Sequence, residues 1–158
     1  MHARALKCWR LLQAAGLTVE VRELPPGPRD ATALGEALGS APGQLLRCEV
    51  WVVQARPLVV LRQLARPADP ALVGEGAPAA PAAPGQALAL AGWDPDGLPP
   101  LFHERPAPVL VDTGVPGLGQ AWCAAGTPDA FFCADAAALV DTVLAAAPAG
   151  EVRPVAAA

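Results

Sequence analysis

Apolar residues along this chain fall into two rhythms, one repeating every three or four positions and one repeating every second position. Residues 3–15 show the first. Ala5, Trp9 and Leu12 follow the i, i+4, i+7 spacing of a helix with one buried face, and Gly16 is placed to stop it. Residues 18–24 show the second. Leu17, Val19 and Val21 face one way and Thr18, Glu20 and Arg22 the other, which predicts a half-exposed strand ended by Pro25-Pro26-Gly27-Pro28. Asp30 or Thr32 caps a short helix through Leu38, with Gly39 as its stop. Residues 44–53 alternate again, with Leu46, Cys48, Val50 and Val52 against Arg47, Glu49 and Trp51. A turn at Gln54-Ala55-Arg56-Pro57 and an apolar run from Leu58 to Leu61 complete a hairpin.

The pattern weakens after residue 66. Pro70 to Glu75 allows one helical turn, and the Pro/Ala-rich residues 77–85 read as a mobile segment. Gln86 to Ala91 is a short helix or strand. The stretch from Gly92 to His103 holds too much proline and glycine for a helix or a central strand, yet Trp93, Leu98, Leu101 and Phe102 need burial. It is therefore a fixed apolar loop, either covering a sheet edge or walling a cavity where glycine lets backbone N–H groups come close to a ligand. Pro108 to Val111 and Gln120 to Ala124 are strands separated by turns. Ala125 to Asp129 turns sharply, and Ala130 to Cys133 is a short final strand. Asp135 caps a closing helix with Leu139, Val140, Val143 and Leu144 on its apolar face. Residues 1–147 are expected to form one domain, with 148–158 as a frayed tail.

Composition narrows the function. With 158 residues, 53% of them hydrophobic and 16% charged, the chain suits one domain with a real core. The net charge of −4 argues against gripping a nucleic-acid duplex along its length but leaves room for holding one RNA end through a local patch. Arg4, Lys7 and Arg10 lie three apart on one helix face, for phosphates or simply for solvent. No apolar run reaches the roughly 20 residues of a membrane span, so no membrane partner is expected and a cytoplasmic location follows. Cys8, Cys48, Cys123 and Cys133 include no C-x-x-C pair and sit among apolar residues, which predicts buried thiols rather than a metal or redox site. Arg47 and Glu49 project side by side from their strand, about 7 Å between Cα atoms, as either a cavity wall or an outward ion pair.

Several stretches, taken in order, resemble one family. They are Thr32-Ala33-Leu34-Gly35-Glu36-Ala37-Leu38-Gly39, then Pro42 to Cys48, then Gly92-Trp93-Asp94-Pro95-Asp96-Gly97-Leu98-Pro99-Pro100 with His103, then Pro108 to Asp112, and finally Ala125-Gly126-Thr127-Pro128-Asp129-Ala130. In this order and spacing, from about residue 3 to 146, the chain resembles the YbaK-type aminoacyl-tRNA deacylases, also called the prolyl-tRNA-synthetase-associated editing domain. The resemblance implies an α/β fold, a mixed, largely antiparallel sheet curled toward a barrel and flanked by helices. It implies hydrolysis in trans of the ester between a wrongly attached amino acid and the 3′ acceptor end of a tRNA, commonly tRNA for proline, in the service of translation fidelity. No metal or cofactor is implied. The implied partners are the tRNA and prolyl-tRNA synthetase, with the chain a monomer or homodimer.

By the same resemblance Arg47, Gly97 and Gly126 are the catalytic candidates. Arg47 would anchor the substrate and the two glycine turns would offer backbone N–H groups. Pro99, Pro100, Phe102, His103, Thr127 and Asp129 would shape the substrate pocket. Read from the residues themselves, His103 either hydrogen-bonds the substrate or a water or is a structural residue at the loop's end, and Asp112 and Asp129 either orient the substrate's amino group or cap turns. The sequence departs from the family pattern at three places. The family's strand lysine falls at Arg47, the first glycine of its G-x-x-x-P loop at Asp96, and its small residue before the histidine at Phe102, which could fill the pocket. These departures leave a second reading open, a module that binds tRNA or aminoacyl-adenosine without hydrolysis. A third is a hydrolase of free small esters.

Overall fold

A computed structural model of the chain describes residues 1–157. Among these residues lie five α-helices, α1 (Ala3–Ala14), α2 (Ala31–Leu38), α3 (Pro70–Gly74), α4 (Pro84–Ala91) and α5 (Ala136–Ala146). Eight strands accompany them: β1 (Val21–Glu23), β2 (Leu46–Val53), β3 (Arg56–Gln63), β4 (Ala79–Pro81), β5 (Val109–Asp112), β6 (Gln120–Ala124), β7 (Ala130–Asp135) and β8 (Gly150–Arg153).

Local chemistry explains the helix ends. The Asp30 carboxylate accepts the Ala33 N–H to open α2, and Gly39 closes it in the left-handed conformation at φ 69°. Asp135 opens α5 in the same way, accepting the Ala138 N–H. On α1 the buried face is Ala5, Cys8 and Leu12. Trp9, expected there, is only half-buried at the edge of the core, where its indole N–H donates to the Val19 carbonyl at 3.1 Å. The strand expected over 18–24 contracts to β1, whose three rungs with β7 are its whole pairing, while Leu17 and Val19 pack into the core without sheet neighbours.

The strands form two sheets, ordered β1-β7-β6 and β4-β2-β3-β5-β8. The first is antiparallel throughout. The second is antiparallel from β4 to β3 and parallel across β3-β5-β8. A parallel bridge between Leu45 and Trp122 joins the start of β2 to β6. The two sheets therefore curl around one main core that includes Leu12, Leu61, Val111, Phe132 and Leu139, without closing into a barrel. The β2–β3 hairpin turns on Gln54 and Ala55 alone, both left-handed at φ 50° and 63°, so β3 starts at Arg56 and runs longer than the apolar residues 58–61 indicate.

Two segments expected to be loose are ordered. Within 77–85, β4 pairs with Trp51, Val52 and Val53 at the sheet edge, and α4 starts at Pro84, where a missing N–H is harmless. The expected frayed tail instead carries β8, paired in parallel with β5. Beyond it Val155 is fully buried against Trp51, Val60, Val73 and Leu110. Ala130–Cys133 is thus part of β7 and not of the last strand.

Candidate functional site

Register places Arg47 opposite Arg62 across the β2–β3 hairpin. Two like charges in that position repel. Glu49 resolves the conflict by taking Arg62 in a fork, at 2.7 Å to Nε and 3.2 Å to Nη2, while Arg62 Nη1 donates to the Gln63 and Leu64 carbonyls at 3.0 and 3.1 Å. Burial raises the Glu49 pKa, but the hydrogen bonds and charge of Arg62, the Trp51 indole and the charge of Arg47 outweigh it, so the carboxyl titrates below its ordinary range. Arg47 is held less firmly. It stands 4.0 Å from Glu49 Oε2 and 3.4 Å from Asp96 Oδ1.

Arg47 opens into a cleft of about 270 Å³. The apolar lining includes Leu34, Leu46, Leu98 and Phe131, and the charged lining is Arg29, Arg47 and Asp96. Arg29 acts as a strap. Its Nη2 donates to Asp129 Oδ1 and to the Pro25 carbonyl, each at 2.7 Å, and its Nε to the Pro128 carbonyl at 3.4 Å. Cys48 also lines the cleft, but burial above all pushes its thiol pKa well up, and the same cause pushes Cys8 and Cys123 to about 12, so these are neutral thiols and poor nucleophiles.

The two glycine turns meet behind this cleft. The Gly126 N–H donates to the Gly97 carbonyl at 3.0 Å, and the Gly97 N–H donates to the Asp94 carbonyl at 2.9 Å. A Cβ on Gly97 would overlap the Thr127 backbone, and one on Gly126, already at φ 95°, would strike the Trp93 ring. Trp93 is buried, donates its indole N–H to the Phe102 carbonyl at 3.0 Å and lies under the Arg4 guanidinium, 4.4 Å from ring centroid to Cζ. Arg4 also donates to the Gly92 carbonyl.

The other sequence-derived candidates disperse. Gly126 and Thr127 line a hollow of about 160 Å³ with His2, Arg4 and Asp94, which shares Pro128 with the Arg47 cleft. Thr127 Oγ1 accepts the Asp129 N–H at 3.3 Å, and Asp129 is engaged by Arg29. Pro100, Phe102 and His103 line a separate hollow of about 230 Å³ against the end of α5. The Phe102 side chain is thus not part of the Arg47 cleft lining. The Pro99 carbonyl lies 2.8 Å from His103 Nε2, so that nitrogen carries the proton. Burial lowers the His103 pKa, and the Pro99 bond offsets this only in part. Asp112 is buried in the sheet, where Oδ1 accepts the Val155 N–H at 2.9 Å. Among the described residues there is no group of three His, Cys, Asp or Glu side chains placed to hold a metal ion, and no helix long and apolar enough to cross a membrane.

Among the cleft residues that sequence reasoning missed are Arg29, Pro128 and Phe131, with Arg62 behind them. Arg62 had a findable signal. In a hairpin turning at residues 54 and 55 it lies opposite Arg47 and diagonal to Glu49. Arg29 had none, since it sits among the prolines of an irregular loop.

The architecture defines a class: one mixed α/β domain of two curled sheets with a small, charge-rimmed cleft between a strand and two interlocked loops. No family model matches the sequence, and no curated protein matches it. A solved structure described as a candidate trans-editing enzyme for prolyl tRNA synthetase is 27% identical and superposes with a TM-score of 0.84, over 100% of this chain and 99% of that one. A structure from work on computational epitope backbone grafting onto scaffold proteins is 24% identical, with a TM-score of 0.85 over 100% and 99% of the two chains. A hypothetical protein at 17% identity has a TM-score of 0.80 over 97% and 99%. The chain is YbaK-type in fold, in keeping with its sequence resemblance.

Proposed function

We propose that the protein is a trans-acting deacylase that hydrolyses the ester of a mischarged tRNA, with a small amino acid on tRNA for proline as its substrate. The observation that carries the reading is the Arg47 cleft. It is small, lined by buried apolar side chains and rimmed by the Arg47–Asp96 pair, in a chain that shares its fold with a candidate trans-editing enzyme. Its volume lies below the ~300–1,000 Å³ of drug-sized sites, which suits one short acyl side chain. An aminoacyl ester is already activated, so positioning, a water and charge on the carbonyl oxygen suffice. Arg47 supplies that charge and holds the carbonyl or the terminal phosphate. The 3′ acceptor end of the tRNA is the partner, delivered directly or through prolyl-tRNA synthetase.

Deacylation of a panel of mischarged tRNAs tests this. The native protein should act on small amino acids, and Arg47→Ala should lower kcat/KM by about 10²–10³-fold, the scale of one lost oxyanion donor. A folded native protein with no turnover above the buffer rate refutes hydrolysis.

One observation favours the second reading, a binding module without hydrolysis. Both glycine N–H groups that the resemblance assigns to the oxyanion are already engaged, that of Gly126 by the Gly97 carbonyl and that of Gly97 by the Asp94 carbonyl, and Asp96 stands against Arg47. That reading expects binding of an aminoacyl-adenosine analogue without turnover, and no gain of activity in Arg47→Lys.

A further inference from the structure

We propose that Asp96 reads the free α-ammonium group of the esterified amino acid, so that the cleft selects unblocked aminoacyl groups over N-acylated ones. The proposal rests on the editing reading above and adds a specificity-determining contact to it.

The argument begins with what the cleft's charged groups are already doing. Glu49 is committed to Arg62 through both carboxylate oxygens. Arg29 is committed to Asp129 and to three backbone carbonyls, Pro25, Pro28 and Pro128. Asp129, the carboxylate first expected to meet an amino group, is neutralised by Arg29 at 2.7 Å, and Asp112 is buried in the sheet away from the cleft. Asp96 differs from all of them. Its side chain is 74% exposed, it lines the cleft, and its ion pair with Arg47 spans 3.4 Å. An exposed pair of that length is weak and readily parted by a ligand.

The chemistry of the ligand matches this pair. In an aminoacyl ester the carbonyl carbon and the ammonium nitrogen are attached to the same α-carbon. The molecule therefore presents a partial negative charge and a full positive charge side by side. Arg47 and Asp96 present the complementary charges side by side at the cleft mouth. The Asp96 position is also fixed, because its N–H donates to Asp94 Oδ1 at 2.9 Å within the short turn Pro95–Gly97. An acyl group on the substrate nitrogen removes the positive charge and with it the attraction to Asp96, so the free amine binds better than its acylated counterpart.

Equilibrium binding of two stable probes tests the proposal, 3′-alanylamino-3′-deoxyadenosine and its N-acetyl counterpart. The native protein should prefer the free amine by about tenfold or more, the scale of one charge-assisted hydrogen bond. Asp96→Asn should bind the two probes alike, and Asp96→Glu should recover part of the preference. Equal binding of both probes by the native protein overturns the proposal while leaving the cleft as the ligand site. Retention of the preference in Asp96→Asn also overturns it. So does a change in affinity that is the same for both probes, which would mean that Asp96 merely tempers Arg47. If neither probe binds the native protein, the editing reading and this one fall together.

Discussion

Glu49 sits where two arginines would otherwise face each other unshielded, and its removal should be felt throughout the hairpin. Glu49→Gln leaves Arg62 almost buried with no counter-charge. The expected loss is about 2–3 kcal/mol in urea denaturation, below the ~3–5 of a fully buried pair because Glu49 keeps some exposure. Acid should reveal the same bond. The Glu49 pKa is held below the ordinary 4.5, so its contribution is complete above that pH and is lost as pH falls through the lower folded value. His103 acts earlier. Its pKa lies below the ordinary 6.5, so the unfolded chain takes up the proton first and stability declines as pH drops below 6.5. His103→Gln should abolish that first decline in a pH series of thermal melts and leave the second. At this scale the sequence showed Arg47 and Glu49 as side-by-side strand residues, because alternation fixes faces. It did not show Arg62 as their partner, because the apolar run ends at Leu61, one residue short.

Elements were legible where their ends carry local chemistry. Asp30, Gly39 and Asp135 are caps whose side chains or backbone freedom act within four residues, so the sequence contains the whole interaction. β4 and β8 were not legible, because neither alternates and both owe their order to distant partners, β4 to residues 51–53 and β8 to residues 109–112. Removing residues 149–158 tests how much β8 matters. It strips the β5 ladder of its edge, takes Val155 from the second core cluster and leaves Asp112 Oδ1 without its donor. The expected loss is at least about 3 kcal/mol, from burial of Val155 and the lost hydrogen bonds, read as a lower midpoint in urea. The β2–β3 turn offers the opposite sign. Ala55 holds φ 63°, a conformation that disfavours a Cβ. Ala55→Gly should stabilise the protein by about 0.5–1 kcal/mol, the left-handed penalty less the entropy of glycine.

At the scale of the whole molecule, the resemblance reached the fold and the neighbourhood of the cleft but not the arrangement of its parts. Asp96, beside Gly97, stands within 3.4 Å of Arg47, so strand and loop do meet. Yet Pro100, Phe102 and His103 are turned toward α5, while Gly126 spends its N–H on the Gly97 carbonyl and Gly97 spends its own on Asp94. Side-chain direction around a proline-rich loop depends on tertiary packing, which residue order does not encode. Gly126→Ala should therefore act through packing. It forces a Cβ into the Trp93 ring and should cost about 2 kcal/mol or more in thermal unfolding, with damage at the cleft as a secondary effect.

The interlock of Gly97 with Gly126 and Thr127 has a consequence for what the cleft can exclude. Two loops joined without room for even a methyl group cannot spread apart independently, so the mouth they frame has a set bore. On the proposed editing reading, a bulky acyl chain would meet this wall at entry, and discrimination would come from geometry at the threshold rather than from a closing motion afterwards.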